Sequence, residues 1–366
     1  MDQEKAIVGF IGSGGIARSH AYSLNSLRYF YDDVPEIELQ AVCSATKESR
    51  TSFAKQFGFI KSYDLEEFVA ENKINTVFIL SPNKVHYEHF KSVIGKTGLK
   101  RIYLEKPVCS NLEEEKAIAG LIQNHSAIKI QVGFQFLFSA TVRDMLVLWK
   151  SGKLGKPLHF DLKYWHSDYL RKEYRDRRQS RLTPAPEGGA MADLGSHSLS
   201  LLIAFLGSRL RITGALQGGH FADVNEDSDL FSLINIYDDA TGAVGSLSAS
   251  RISSGTGDYF SVEIYAQEGA LRYSTNSPDC FEFYTEESGI WNRRMVGSNY
   301  KPFSSFPSAH VPPGWLRSMI HAHYLFLTDN NNKEFVPDIE HGLAVQRLVT
   351  QTAEQLKTFR KLTKSG

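Results

Sequence analysis

Three short stretches of this chain hold residues whose types and spacing suit chemistry: IVGFIGSGGIA at 7–17, EKP at 105–107 and DLGSH at 193–197. In the first, Gly12, Gly14 and Ala17 fit the pattern G-x-G-x-x-G/A, directly after an apolar run and at the head of a helical repeat. The first glycine permits a tight turn, the second lets the backbone approach a pyrophosphate, and the small third residue lets helix and strand close up. Ser13, Gly15 and Ile16 complete a turn whose N–H groups, with the positive end of the helix dipole, would face phosphates. Glycine-rich turns after strands also arise for structural reasons alone, so the cradle gains meaning from what lies near it.

Lys106, Asp193 and His197 supply that context. Oxidising a secondary alcohol needs a hydride acceptor, a group to take the hydroxyl proton, and a cation to steady developing oxyanion character. Histidine suits the proton step because its ordinary pKa lies near neutrality. A lysine ammonium can stabilise the alkoxide-like oxygen. If the 193–197 stretch is helical, the i, i+4 spacing turns Asp193 and His197 to one face. The plainer alternatives are an exposed Lys106 paired with Glu105, a capping role for His197, and an N-cap at Asp193.

The choice of dinucleotide turns on the second strand. NAD enzymes commonly end it in Asp or Glu, which bonds the adenosine ribose. Here the strand ends AVCSATKESR, so Ser44 stands where the acid would be, and Asp32 and Asp33 come too early to replace it. The hydroxyls of Ser44 and Thr46, with Lys47 or Arg50, would hold a 2′-phosphate. The expected cofactor is NADP in preference to NAD, against a solvated helix start that tolerates either.

The elements that must position these residues are legible from periodicity. Short runs rich in Val, Ile and Phe at 6–11, 38–43, 76–80, 101–104 and 128–132 alternate with helical patterns at 47–57, 65–71, 84–94 and 112–124. Apolar strands separated by helices predict a doubly wound parallel sheet, a Rossmann domain over residues 1–133. After residue 134 come a helix at 140–149, a strand at 158–165, a dense polar loop, a helix around 199–205, and then strands in succession from about 211 to 284. Strands without intervening helices predict a second α/β domain, 134–366, with a mostly antiparallel sheet. A helical tail runs from 340 to 361.

Composition narrows the function classes. At 366 residues the chain can bury two cores, and its 41 basic residues balance 41 acidic ones, so no overall field draws nucleic acid or an anionic membrane. Cys43, Cys109 and Cys280 are too scattered for a disulfide framework or a metal knuckle. With no signal-like start and no run of membrane-spanning length, a cytoplasmic location is expected.

Further motifs follow at the ends of later strands: SPNKVH (Ser81–His86), VGFQ (Val132–Gln135) and QEGALR (267–272). With the glycine turn, E-K-P and D-x-G-x-H, in this order and spacing, nearly the whole chain resembles the glucose-fructose oxidoreductase / inositol dehydrogenase / rhizopine-catabolism (Gfo/Idh/MocA) family of sugar and polyol dehydrogenases. The resemblance implies an open antiparallel sheet, Lys106 as the catalytic lysine, His197 as acid/base, and Asp193 as its neighbour in the substrate pocket. It implies Ser81, Pro82, Asn83, His86, Glu105, Lys106 and Gln135 on the cofactor side. It also implies a sugar or polyol substrate and a homodimer or homotetramer formed through the exposed sheet face; the cysteines and histidines read as no metal site.

Two departures bear on substrate. Ser200 stands where many relatives have Asp, and Gln135, Phe136 and Leu137 replace an Asn followed by two basic residues. The loop 166–187, with Arg171, Lys172, Arg175, Arg177, Arg178 and Arg181, could supply one or two replacements, although a solvated face is the plainer reading for most of these charges. His321 and His323 read as helix residues rather than metal ligands. Two other functions stay open: a dinucleotide-binding sensor without turnover, and a lyase or glycosidase that oxidises its substrate transiently and restores the cofactor.

Overall fold

Runs of Val, Ile and Phe without polar alternation make strands that need cover on both faces. The computed structural model describes residues 4–185, 187–297, 300–303, 314–328 and 334–364, with backbone only at 315 and beyond 358. In it, β1 (Ala6–Ile11), β2 (Ile37–Cys43), β3 (Lys61–Tyr63), β4 (Thr76–Ile79), β5 (Arg101–Leu104) and β6 (Lys129–Val132) form one parallel sheet in the order β3-β2-β1-β4-β5-β6. Helices α1 (Gly15–Ser26), α2 (Lys47–Phe57), α3 (Leu65–Ala70), α4 (His86–Val93) and α5 (Leu112–Gln123) lie between successive strands. This is the doubly wound order, with its switch point between β1 and β4, and such sheets bind ligands beyond the carboxyl ends of their strands there. The strand β3 was not expected from the sequence; at three residues, KSY, it has no apolar run to betray it.

Helix α6 (Ala140–Lys150) leads into β7 (Pro157–Trp165), and the polar loop beyond it contains a short α-helix, α7 (Lys172–Arg177), flanked by two 3-10 turns. Helix α8 (Ser196–Leu206) and strands β8 (Leu210–Gly218), β9 (Phe231–Asp238), β10 (Val244–Ser250), β11 (Tyr259–Ala266), β12 (Gly269–Ser274), β13 (Cys280–Thr285) and β14 (Trp291–Met295) follow. The second sheet runs β14-β13-β12-β11-β7-β10-β9-β8, antiparallel at every pairing but β7 with β10, as the succession of strands predicts. Strand β14 went unread because its sequence, WNRRM, is polar and largely exposed. Helix α8 is buried along nearly its whole length, packed between β7 and α10 (Ile339–Lys364). On the sheet's exposed side, Leu158, Leu216 and Val244 are about half open to solvent.

The end of the chain returns to the first sheet. Helix α9 (Gly314–Leu327) packs on α1 and on the turn Gln135–Phe138, and α10 touches β6 and α5 as well as β8. Both sheets are therefore pinned where β6 hands over to α6, close to the ends of β4 and β5. Among the described residues no helix is long and apolar enough to cross a membrane.

Candidate active site

At the switch point the chain leaves β1 through Gly12, whose φ of +122° favours glycine. A Cβ there would stand 2.7 Å from the Leu80 backbone at the end of β4, so the turn and the neighbouring strand exit fix each other. Gly14 caps α1 without any side-chain bond, the first turn of α1 carries no acid, and among the described residues a Cβ on Gly14 or Gly15 would meet nothing within 4 Å. Open space before uncapped helix N–H groups fits a pyrophosphate. Ala17 is buried, and Ile16 is partly so. The Ser13 and Ser49 hydroxyls are 2.6 Å apart, knitting the turn to α2. Thr46 caps α2 by accepting the Ser49 N–H, Lys47 is exposed, and Arg50 donates to the Ser44 carbonyl at 3.2 Å. No carboxylate ends β2.

Several residues that the resemblance puts on the cofactor side also hold the loops around it in place. His86 is buried with its ring nitrogens 2.7 Å from the Pro107 carbonyl and 2.7 Å from the Ser81 carbonyl, stapling two strand exits together. The Asn83 amide donates to the Glu187 carbonyl at 2.8 Å, which reaches across to the second half of the chain. The Ser81 hydroxyl meets His89 at 2.8 Å. Pro82 caps the short turn Asn83–Val85. Glu105 is buried, its Oε1 2.9 Å from His20 Nε2, while its Oε2 accepts the Lys106 backbone N–H. The carboxylate therefore pairs with His20 and not with the Lys106 ammonium, because it turns inward from the strand end. Gln135 is buried in the turn after β6.

Lys106 extends from the end of β5 to the second half of the chain. Its Nζ donates to the Asp193 carbonyl at 2.7 Å and to Asp193 Oδ1 at 3.0 Å. Asp193 Oδ2 accepts Arg251 Nη2 at 2.8 Å and lies 3.6 Å from Arg181 Nη1. Burial opposes ionisation of Asp193, yet Lys106, Arg251 and Arg181 hold it well below the usual carboxylate range. The expected i, i+4 helical face takes a different form: Met191–Gly195 is a π-helical turn that passes into α8 at Ser196. The Met191 sulfur fills the space beside Gly195, where a Cβ would make it shift.

His197 opens α8 in an aromatic surround, with ring centroids of Phe136, Tyr164 and Phe134 at 5.2, 5.8 and 6.0 Å. Its Nδ1 is shut off from solvent and has no hydrogen-bond partner among the described residues. Burial, and then the Lys106 charge, push its pKa well below the ordinary value, only partly opposed by Asp193. The near-neutral pKa expected from residue type is corrected accordingly: the imidazole is uncharged at physiological pH.

Of the basic loop, only Arg181 approaches Asp193. Arg175 is buried, clasping Asp223 and two loop carbonyls, and Lys172 pairs with Asp176 on the surface. His323 bonds His20 and His321 bonds the Tyr31 hydroxyl, both from α9. Arg251, fully buried just past β10, was missed by sequence reasoning. Its sole signal was an arginine closing a small-residue strand, SLSASR, which says nothing of a partner 58 positions away.

Residues 7–134 match the family described as "Oxidoreductase family, NAD-binding Rossmann fold", and residues 142–272 match the "GFO/IDH/MocA C-terminal domain". Glucose-6-phosphate 3-dehydrogenase of Bacillus subtilis is 25% identical over 283 residues, covering 75% of this chain and 76% of its own. Levoglucosan dehydrogenase of Pseudarthrobacter phenanthrenivorans is 24% identical over 299 residues, 74% of each chain. A solved levoglucosan dehydrogenase in complex with NADH and levoglucosan superposes with a TM-score of 0.84 at 19% identity, covering 97% of this chain and 98% of that one.

Proposed function

This chain belongs to the Gfo/Idh/MocA oxidoreductase family, and we propose that it transfers a hydride between a nicotinamide dinucleotide and a secondary alcohol or ketone of a sugar, polyol or related hydroxylated compound. The observation that carries this reading is the meeting of Lys106 with Asp193, beside an uncharged His197. A nucleotide-binding module without chemistry has no need for that constellation. Relatives that act on sugars and inositols, among them scyllo-inositol 2-dehydrogenase (NAD(+)) of Bacillus subtilis, support the substrate class.

On this reading residues 1–133 hold the dinucleotide, and 134–366 shape the substrate pocket and any contact between subunits. The glycine turn and the head of α1 cradle the pyrophosphate; the nicotinamide, when bound, supplies the hydride acceptor. Lys106 directs its ammonium at the reacting oxygen and stabilises alkoxide character. His197 takes the hydroxyl proton, and Asp193 orients the lysine. Ser44, with Arg50 fixed beside it and Lys47 exposed, favours NADP over NAD. Tighter fluorescence titration by NADPH than by NADH is expected, and equal or tighter NADH binding overturns the preference.

The open sheet face, with Leu158, Leu216 and Val244 half exposed, favours a homodimer or homotetramer. Light scattering by a lone 41.1 kDa chain at micromolar concentration would contradict that. Three buried free thiols suit a reducing compartment such as the cytoplasm.

The function is tested by mixing the protein with NAD⁺ or NADP⁺ and a panel of sugars and polyols, following reduced-nicotinamide absorbance. A stoichiometric rise supports the dehydrogenase. Product without net reduction indicates transient oxidation, and tight dinucleotide binding with no product indicates a sensor.

A further inference from the structure

A guanidinium wholly removed from water is costly unless it is paired and hydrogen-bonded. Arg251 is such a group. It is fully buried just past β10, and its backbone N–H donates to the Leu230 carbonyl at 2.9 Å. The side chain makes three bonds: to Asp193 Oδ2 at 2.8 Å, to the Arg181 carbonyl at 2.8 Å and to the Gly188 carbonyl at 2.7 Å. Its charge also lies over the Tyr169 ring, 4.7 Å from the centroid.

Two consequences follow for Lys106. The carboxylate of Asp193 is divided, with Oδ1 facing Lys106 and Oδ2 facing Arg251. Without Arg251, Oδ2 would keep only the longer 3.6 Å approach of the half-exposed Arg181, and the ammonium could bridge both oxygens and be drawn off its place. One carboxylate among three cations, Lys106, Arg251 and Arg181, beside an uncharged His197, also leaves positive charge in excess. Such an excess suits an oxygen turning anionic in a poorly solvated site. The bonds to the carbonyls of Arg181 and Gly188 meanwhile grip one side of the 181–188 segment, while Asn83 holds the Glu187 carbonyl from the first sheet.

We propose that Arg251 is a positioning residue: by occupying Asp193 Oδ2 it sets where the Lys106 ammonium sits and keeps the pair from neutralising itself. The proposal rests on the hydride-transfer reading for its kinetic meaning, but its structural claim stands apart from turnover.

The test is a crystal structure of the full-length Arg251→Met protein with NADH, together with its kinetics. Lys106 Nζ is expected to leave the Asp193 carbonyl and bridge both carboxylate oxygens. The kcat per folded site should drop roughly 10- to 100-fold with KM for substrate and cofactor nearly unchanged, because the loss falls on the transition state. Arg251→Lys, which retains the charge, should recover most of that loss. If the Met variant does not fold, Arg251→Gln keeps a donor for the loop carbonyls and drops the charge. A Lys106 that keeps both of its present bonds would overturn the proposal. So would a variant whose thermal stability falls while kcat per folded site does not. A wild-type protein that turns over nothing, with Lys106 still displaced in the variant, would sink the dehydrogenase reading and leave the positioning role standing.

Discussion

On the first-sheet side of the site the binding surface is backbone and empty space, whereas beyond Lys106 it is buried charge. Gly12, Gly14, Gly15 and Ala17 contribute almost no side chain; they work by what they leave open around the head of α1. Across from them, the fully buried Arg251 and the partly buried Lys106 and Asp193 crowd their charges, with His197 held uncharged in an aromatic surround. On the proposed reading the first surface receives a pyrophosphate, and the second serves the hydride-transfer step through charges that set one another's state. Damage should therefore show as lost binding on one side and as lost turnover on the other.

The largest effect that sharpens this contrast is expected from His197→Ala. Turnover should fall by about 10² to 10⁴, the size of a lost general base, and the deficit should lessen as pH rises and solvent takes the proton. Cofactor affinity should hardly move. A matching loss of NADH binding would break the contrast.

Gly12→Ala attacks the other side. A Cβ 2.7 Å from the Leu80 backbone, on a residue with φ near +122°, must shift the turn. NADH binding should weaken by more than about tenfold, with stability falling by about 1–2 kcal/mol from the left-handed conformation alone. Gly14→Ala meets nothing within 4 Å, so it should leave the melting temperature intact and weaken only the dinucleotide. Equal losses of stability in the two variants would refute the open-cradle account.

Ser44→Asp should swing the NADPH/NADH preference toward NADH by about tenfold, as a carboxylate repels the 2′-phosphate and bonds the ribose.

The smallest effect is on stability in acid. His197, His321 and His323 are all held well below their ordinary pKa by burial. The unfolded chain gains their protons near pH 6.5 and the folded chain does not, so this contribution is full above about pH 6.5 and is lost as pH falls below it. The melting temperature should drop between neutral pH and mild acid, and His323→Leu should flatten that slope. A flat profile in the unmodified protein would show that these rings are not neutral in the fold.

The contrast also explains what the sequence disclosed. Glycine requirements and apolar runs are local, so the first sheet, its glycine turn and the succession of later strands were readable from spacing. Lys106, Asp193 and His197 were readable through their motifs. Arg251 was not, because its partners Asp193, Arg181 and Gly188 come together only when β10 lies beside the loop before α8. The partners of Glu105 and His86 were hidden in the same way: the fold turns Glu105 to His20 and His86 to two carbonyls, none of which spacing reveals. Residue type alone also says too little of His197, since burial and then the Lys106 charge push its pKa down, and spacing reveals neither.

The central claim, that Lys106 acts on the reacting oxygen from the first sheet while Asp193 and His197 complete the site from the second half, is tested most directly by Lys106→Ala. Its kcat on a substrate identified from the sugar and polyol panel should be compared with its NADH affinity in the same preparation. The account predicts turnover lower by about 10²- to 10³-fold, the size of one lost oxyanion donor, with NADH bound as in the unmodified protein. Near-normal turnover by Lys106→Ala would contradict it.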